Sequence, residues 1–498
     1  MKIGLADLYS EDRGGGTMTY APVLQPYAHQ VAALDAASGR RVFCWNMAMR
    51  TGKSLCVLTD FGRMADEGEV LDLLVIAPAG TYDTWYGEIV KHVPPEFRER
   101  LLFHRWTSGG GSGHGRRLEW FLSQADPRRP RVLVVNVEAL STVERAREAC
   151  FAFVRSRGAV VVVSESTSIK GLSKRTEWVL RIGELARYRR IESGLMTPRS
   201  PLDLYSQFEF LDRRILGFQN FFFFKLRHAV TRKMTIGARN VNVVVGYRHV
   251  EELRDKIAPH VFRVRLEDCY DVPKKLYVIR DVSQTPEQRR IYAELKEHAF
   301  ADMGEGRAVS ATRIITRMLR LHQVNCGHIV DDDERVSREI PENRTAALLD
   351  VLREYEGKAI VWASYDHDVR KIVAALEREF GAGCAARFWG GNRSTREAEE
   401  ARFKSDPACP YMVATPAAGG RGRTWAHADL MIYWSNQDNL EWRDQSEERG
   451  SGIGKERPMT LVDLMVRGTV DEKIVGALRK KINLAAVVTG ENARDWLI

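Results

Sequence analysis

The sequence has few cysteines and lacks any Cys-x-x-Cys pair. Its seven cysteines are scattered along the whole chain, at positions 44, 56, 150, 269, 326, 384 and 409. A zinc module or a disulfide-stapled scaffold needs closely spaced, paired cysteines. The scattered pattern argues against both classes and predicts a reducing compartment.

The sequence also lacks a long apolar run. No stretch approaches the length of about 20 apolar residues that a membrane-spanning helix requires. Residues 1–4 carry no signal-peptide core. We therefore expect a cytoplasmic protein without a membrane partner.

Acidic residues are outnumbered by basic ones. The chain has 75 Lys and Arg against 66 Asp and Glu, which gives a net charge of +9 and a pI of about 9.1. A basic excess favours a polyanionic partner. Spread over 498 residues, the same charge also suits a soluble basic enzyme, and both interpretations stay open on charge alone.

Continuous apolar runs alternate with amphipathic helical stretches along most of the chain. Such runs are typical of parallel strands that are covered by helices on both faces. A first series contains the runs 73–77, 132–135 and 159–163, and a second series contains 358–363, 411–414 and 429–433. The pattern predicts an α/β protein with two parallel-sheet lobes.

The length of the chain predicts roughly three domains. Between the two series the pattern changes to basic and helical, with four consecutive phenylalanines at 221–224 and a strand-like run at 241–245. The predicted ranges are 1–21 for a flexible lead-in, 22–214 for an ATP-binding lobe, 215–345 for a mostly helical insert and linker, 346–470 for a second lobe, and 471–498 for closing helices.

Residues 48–54, Ala-Met-Arg-Thr-Gly-Lys-Ser, stand between a strand-like run and a predicted helix. A Gly-Lys-Ser at a helix start presents backbone N–H groups and a cation to phosphates. Lys53 would reach the β- and γ-phosphates, and the Ser54 hydroxyl would hold Mg²⁺. The general pattern has Gly where this chain has Met47, so an ordinary loop remains the alternative for this motif alone.

Further motif-like segments follow the strand-like runs in a fixed order. Gln30 lies 23 positions before Lys53, and its amide can both donate to and accept from an adenine edge. The remaining candidates are Tyr27, Asn136, Ser164, Glu165, Thr197, Thr415, Gly420, Gln445 and Arg449.

This ordered series resembles helicase superfamily 2, and within it the Swi/Snf-like translocase branch and the compact helicase-like proteins of bacteriophages. The resemblance runs from about residue 22 to the C-terminus. It implies two RecA-like lobes, ATP and Mg²⁺ as cofactors, and duplex or branched DNA as a partner. It leaves the insert as a candidate surface for a protein partner, and it implies the host cytoplasm if the chain is phage-encoded.

The resemblance also implies a role for each matching residue. Those implied to hold ATP are Tyr27, Gln30, Arg50, Thr51, Gly52, Lys53, Ser54 and Gly420. Ser54 would hold Mg²⁺, with Ser164 as a weak second ligand. Glu165 would orient or deprotonate the attacking water, while Gln445 and Arg449 belong to the last motif. Asn136, Thr197 and Thr415 are implied to couple the nucleotide side to the nucleic acid.

Arg449 is implied to approach the γ-phosphate from the opposite lobe. An arginine in that position is worth about 10³–10⁵ in rate in related phosphoryl transfer. Alone, it could equally be a surface ion pair beside its acidic neighbours, which would contribute little.

The chain departs from the family pattern at several positions. Ser164 stands where the family has an Asp that holds Mg²⁺, and Gly452 stands where it has a second Arg. Lys455 replaces a final Gln, residues 194–196 replace a small polar pair, and Arg50 replaces a Gly of the phosphate loop. Loss of the acid and the Arg predicts slower hydrolysis, while the nucleotide-binding residues are kept.

Two functional hypotheses follow. The first is an ATP-dependent DNA translocase or helicase-like motor. The second is a degenerate ATPase that serves as an ATP-gated DNA-binding or partner-binding protein.

The tryptophans of the second lobe are interpreted as core or interlobe packing, namely Trp362, Trp389, Trp425, Trp434 and Trp442. The run 221–224 is interpreted as a hydrophobic helix face, whereas exposed aromatic side chains there would indicate a DNA wedge or a partner surface.

Overall fold

Two parallel β-sheets organise the chain in the computed structural model. The structure describes residues 20–489 except 80, 108–111, 125, 127, 237, 238, 305–310, 331–335, 420–423, 452–454 and 456. The described strands are β1 (Val42–Met47), β2 (Asp72–Ala77), β3 (Leu102–Arg105), β4 (Arg131–Asn136), β5 (Val160–Ser164), β6 (Tyr188–Ser193), β7 (Ala229–Ile236), β8 (Arg239–Tyr247), β9 (Val261–Val264), β10 (Lys275–Asp281), β11 (His328–Val330), β12 (Val336–Glu339), β13 (Lys358–Trp362), β14 (Ala385–Phe388), β15 (Tyr411–Ala414), β16 (Ala428–Tyr433) and β17 (Met459–Met465).

Helices connect most of the strands. Those described are α1 (Ala28–Ala37), α2 (Lys53–Asp66), α3 (Trp85–His92), α4 (Pro95–Arg100), α5 (Ser112–Ser123), α6 (Ala139–Thr142), α7 (Glu144–Arg157), α8 (Lys174–Glu184), α9 (Leu204–Leu216), α10 (Phe221–His228), α11 (Val250–Ile257), α12 (Leu266–Cys269), α13 (Pro286–Gly304), α14 (Ala311–Asn325), α15 (Arg344–Arg353), α16 (Asp366–Phe380), α17 (Arg396–Ser405), α18 (Pro416–Gly419), α19 (Leu440–Glu447) and α20 (Val470–Thr489). Within the part of the chain that the structure describes, none of them is both long enough and apolar enough to cross a membrane.

The first lobe is built on a seven-stranded sheet in the order β3-β4-β2-β5-β6-β1-β9, with every pairing parallel. Its central strand β5 is buried along its whole length. Val161 and Val163 pack into one hydrophobic core and Val160 and Val162 into another. The alternation follows from the two-residue period of a strand, and it explains why the run is apolar at every position.

The second lobe has a six-stranded parallel sheet in the order β10-β17-β16-β13-β15-β14. Val361 and Trp362 of β13 point to cores on opposite faces. The predicted α/β class, with two RecA-like parallel-sheet lobes, is therefore confirmed. Trp362, Trp425 and Trp434 are fully buried in this lobe.

The range 215–345, predicted as a mostly helical insert, contains strands of both sheets. β9 extends the first sheet beside β1, and β10 forms the edge of the second sheet beside β17. The predicted run 241–245 lies in β8, which forms an antiparallel hairpin with β7. In α10, Phe224 is buried, whereas Phe222 and Phe223 are exposed.

Candidate active site

The predicted phosphate-binding segment, residues 48–54, lies where β1 ends and α2 begins, at the carboxyl edge of the first sheet. It is named the phosphate loop. Gly52 precedes the helix with a φ of +89°, a left-handed conformation that glycine adopts at little cost. A Cβ at this position would stand 2.1 Å from the Gln30 amide nitrogen. Glycine at position 52 therefore permits both the left-handed backbone of the turn and the close approach of the Gln30 side chain.

Gln30, the predicted adenine contact, is fixed against this loop. Its Nε2 donates to the Thr51 carbonyl at 2.9 Å, and its Oε1 accepts from the Tyr27 backbone N–H at 2.9 Å. The rings of Tyr27, His29 and Tyr270 pack together beside it, with centroids 5.6–5.9 Å apart. Tyr270 was not predicted, because it joins this cluster from a segment that is distant in sequence.

Lys53 and Ser54 open α2 as predicted from the sequence. The Lys53 ammonium donates to the carbonyls of Met47 and Ala48, at 3.2 and 3.4 Å. Hydrogen bonds from His92 and Ser54 lower the pKa of the Glu88 carboxyl. A cation, a hydroxyl and a carboxylate therefore lie together at the N-terminus of this helix.

Ser164 and Glu165 stand at the end of β5. Glu165 has a φ of +50°, which is strained for a residue with a side chain and is typical of functional sites. The Ser193 hydroxyl lies 3.5 Å from Glu165 Oε2. The structure thus holds the predicted catalytic carboxylate at the edge of the sheet that carries the phosphate loop.

Glu192 is a buried carboxylate that sequence reasoning missed. It is 3% exposed, and its Oε1 accepts a hydrogen bond from the Ser164 hydroxyl at 2.6 Å. Burial raises the pKa of Glu192 to about 7, while the Lys53 ammonium acts in the opposite direction. The only signal in the sequence is an acidic residue within a strand-like segment just before Ser193 and Gly194.

The second lobe contributes Arg449 to the same region. Its Nη2 lies 3.9 Å from the Met49 sulfur, and Arg50 Nη2 donates to its carbonyl oxygen at 3.2 Å. Burial and the Arg50 guanidinium lower the pKa of Arg449 to about 10, against the effect of Glu448 and Glu165. An arginine of one lobe is therefore packed against the phosphate loop of the other.

A small cleft lies between the two lobes here. Its lining includes Met49, Glu165 and Ser193 from the first lobe and Glu441, Asp444 and Gln445 from the second. Glu441 also bonds directly to the first lobe. It accepts from the Thr167 hydroxyl at 3.0 Å and from the Lys170 ammonium at 2.5 Å.

The predicted coupling residues are not among those that line this cleft. Asn136 ends β4 and Thr197 follows β6, and the Asn136 Oδ1 and Thr197 Oγ1 atoms are buried without a hydrogen-bond partner among the described residues. Thr415 follows β15 in the second lobe and is 7% exposed. Gly420 and Gly452 lie outside the described residues.

In the described ranges, no group of three or more His, Cys, Asp and Glu side chains is arranged to hold a metal ion alone. Mg²⁺ in nucleotide sites needs no such group, because one or two carboxylates act together with phosphate oxygens and water. The Ser54 hydroxyl and the nearby carboxylates fit that requirement.

Residues 30–329, more than half of the chain, match the family model described as SNF2-related domain. Protein p41 of Acyrthosiphon pisum secondary endosymbiont phage 1 is 20% identical over 328 residues, covering 63% of this chain and 68% of the phage protein. Human TATA-binding protein-associated factor 172 is 21% identical over 519 residues, covering 91% of this chain. The match covers 27% of the human protein, so this chain spans about a quarter of that relative.

Among solved structures, the Sulfolobus solfataricus SWI2/SNF2 ATPase core in complex with double-stranded DNA is similar. It shares 20% sequence identity with a TM-score of 0.39, and the match covers 94% of this chain and 95% of that chain. The resemblance to Swi/Snf-like proteins, including phage proteins, is confirmed by the family match and the phage relative.

Proposed function

Because this chain belongs to the SNF2-related domain family, we propose that it is an ATP-hydrolysing motor that moves along duplex or branched DNA. One observation carries the proposal. Arg449 of the second lobe is packed against Met49, within the phosphate loop of the first lobe, and Glu165 lines the cleft between them. In such an arrangement ATP contacts both lobes, so that its binding closes the cleft and its hydrolysis lets the cleft open.

The charged side chains in and around this cleft have proposed tasks. The Lys53 ammonium and the N–H groups at the start of α2 bind the β- and γ-phosphates. Glu165 orients the attacking water and accepts its proton, and Arg449 stabilises the charge of the transition state, assisted by Gln445. Mg²⁺, when bound with ATP, neutralises charge on the phosphate oxygens.

Nucleotide binding requires Lys53 to exchange its present partners for phosphate oxygens. Its bonds to Met47 and Ala48 are to backbone carbonyls of the loop that would cradle the phosphates. Gln30 and Tyr27 then read and cover the adenine. Arg50, Thr51 and Gly420 complete the proposed ATP contacts.

DNA is proposed as the partner on the basis of family membership and the net charge of +9. Contacts of basic side chains with phosphates would dominate binding and would carry little base readout. Asn136, Thr197 and Thr415, which lie at carboxyl ends of strands in the two lobes, are the proposed coupling residues.

Phosphate release without nucleic acid and with single-stranded, duplex and branched DNA tests this function. We expect duplex or branched DNA to raise the rate at least about tenfold in the wild type, and K53A to stay at background because the phosphates lose their cation. Lys91→Ala, which removes an exposed lysine from the same lobe, should behave as the wild type. Equal background rates in the wild type and K53A would contradict hydrolysis.

A degenerate ATPase is the second candidate, and the Ser164 side chain favours it. Its hydroxyl stands at the position of the family's metal-binding acid and is engaged by Glu192. This candidate predicts that a fluorescent ATP analogue binds the wild type and not K53A, while neither protein releases phosphate with any DNA.

A further inference from the structure

Glu192 lies between the two segments that form the phosphate site. In the sheet order β5-β6-β1, Glu192 of β6 is in register with Ser164 on one side and with Trp45 on the other. Residues in register on neighbouring parallel strands project to the same face of the sheet. The Glu192 carboxylate is therefore on the same face as Ser164, close to the end of the strand that leads into the phosphate loop.

One oxygen of Glu192 has no hydrogen bond to any residue that the structure describes. Oε1 accepts from Ser164, whereas Oε2 is buried without a hydrogen-bond partner among the described residues. Burying an unpaired carboxylate oxygen is unfavourable in an apolar core, because water can no longer solvate it. Such an exception in a folded protein calls for a ligand or a functional explanation.

The surroundings of Glu192 attract a cation. Glu165 and Glu88 both act on Glu192 as like charges, and Lys53 acts as the opposite charge. Glu88 is in turn hydrogen-bonded to Ser54, the predicted Mg²⁺ ligand. The like charges of Glu165 and Glu88 favour a cation beside the Glu192 carboxylate.

We propose that Glu192 supplies the carboxylate for Mg²⁺ at the ATP site, in place of the acid that is absent at position 164. Ser164 acts as a positioning residue, because its hydroxyl fixes Oε1 and leaves Oε2 for the metal or a metal-bound water. The assignment rests on the proposed ATP site. It explains how a chain that lacks the usual acid retains a carboxylate at that site: the carboxylate comes from the adjacent strand.

The test measures metal and nucleotide binding rather than turnover. The affinity for a fluorescent ATP analogue is measured in Mg²⁺ and in EDTA, and Mn²⁺ bound in the presence of a non-hydrolysable ATP analogue is counted from the loss of the free Mn²⁺ resonance signal. We expect E192Q to lower metal affinity about 10–100-fold, the range seen when groups that support a metal are removed. Its nucleotide affinity in EDTA should be unchanged or higher, because a negative charge is removed.

Three variants control this experiment. S164A keeps the Glu192 charge and should keep most of the metal affinity, and the double variant S164D/E192Q should regain it. Glu209→Gln alters another glutamate of the same lobe, whose Oε1 is buried without a hydrogen-bond partner in the described ranges. This variant should bind metal as the wild type does. Thermal unfolding of each variant checks that it is folded.

The possible results separate the two proposals. Normal metal affinity in E192Q would overturn the assignment to Glu192, whether or not S164A loses its metal affinity. An equal fall of nucleotide affinity in Mg²⁺ and in EDTA would make Glu192 a merely structural residue. Failure of the wild type to bind the analogue in either buffer would instead contradict the ATP site itself.

Discussion

Gly52 lies at the point where the phosphate loop, the start of α2 and the Gln30 side chain meet. Two separate physical demands fall on this residue, a φ of +89° and the absence of a Cβ beside the Gln30 amide. Gly68, at the other end of the same helix, has a φ of +71° with open space around it. Substitution of Gly52 and of Gly68 therefore distinguishes two effects. Both positions impose backbone strain on a larger residue, and only Gly52 adds a steric clash with the site.

We expect G52A to lose nucleotide affinity by at least about tenfold, because the new methyl group displaces Gln30 from the loop, and to lose about 1–2 kcal/mol of stability through its left-handed backbone. G68A should show a similar loss of stability with normal nucleotide affinity. Urea unfolding and titration with a fluorescent ATP analogue measure the two effects. Equal nucleotide binding by G52A and G68A would show that the contact with Gln30 is unimportant.

At the scale of elements, α19 connects the lobes through Glu441. This helix of the second lobe meets the short turn that follows β5, where Thr167 and Lys170 donate to the Glu441 carboxylate. Glu441 and Lys170 are both largely buried, so their interaction is less screened by water than that of a surface pair. The turn carries Glu165 at its start, and the contact therefore connects the second lobe to the proposed catalytic carboxylate.

We expect E441Q to loosen the turn at 166–170, because a buried hydrogen bond to a charged group is worth about 1.5–3 kcal/mol. Hydrogen exchange of these amides should become about 10–100-fold faster. Glu119→Gln, which breaks the exposed pair with Arg145, should leave exchange at 166–170 unchanged. Unaltered exchange in E441Q would mean that other contacts hold the turn.

The sequence predicted the fully buried strands better than the partly exposed strand β9. The runs 73–77 and 132–135 lie within β2 and β4, and residues 160–163 of the third run lie in β5. Strands buried on both faces must be apolar at every position. β9 has only four residues, Val-Phe-Arg-Val, and all four are partly exposed. Its sequence carries no strong signal, and pairing with β1 is what places it in the first sheet.

At the scale of the whole molecule, the net charge of +9 predicts that the proposed binding to DNA is driven by the release of counterions. Each phosphate that a basic side chain neutralises releases counterions, so affinity falls with salt. We expect affinity for a duplex to drop about 10³–10⁵-fold between 50 and 200 mM salt, the range for about 6–10 phosphate contacts. Fluorescence anisotropy with a labelled duplex measures this slope.

Binding of the fluorescent ATP analogue without DNA provides the control for this measurement. It should depend far less on salt, because fewer phosphates are neutralised in a partly buried site. An affinity for duplex DNA that stays constant over the same salt range would contradict phosphate-dominated binding.

The sequence by itself determined the two-lobed α/β class, the phosphate loop, and the order of Lys53, Glu165 and Arg449 along the chain. These features are local, because a strand, a turn and a helix start each depend on a few consecutive residues. Only the tertiary structure decided that Glu192 lies beside Ser164, 28 positions earlier, and that Arg449 lies beside Met49. Strand register and lobe packing are non-local, and no short sequence pattern encodes which distant side chains they bring together.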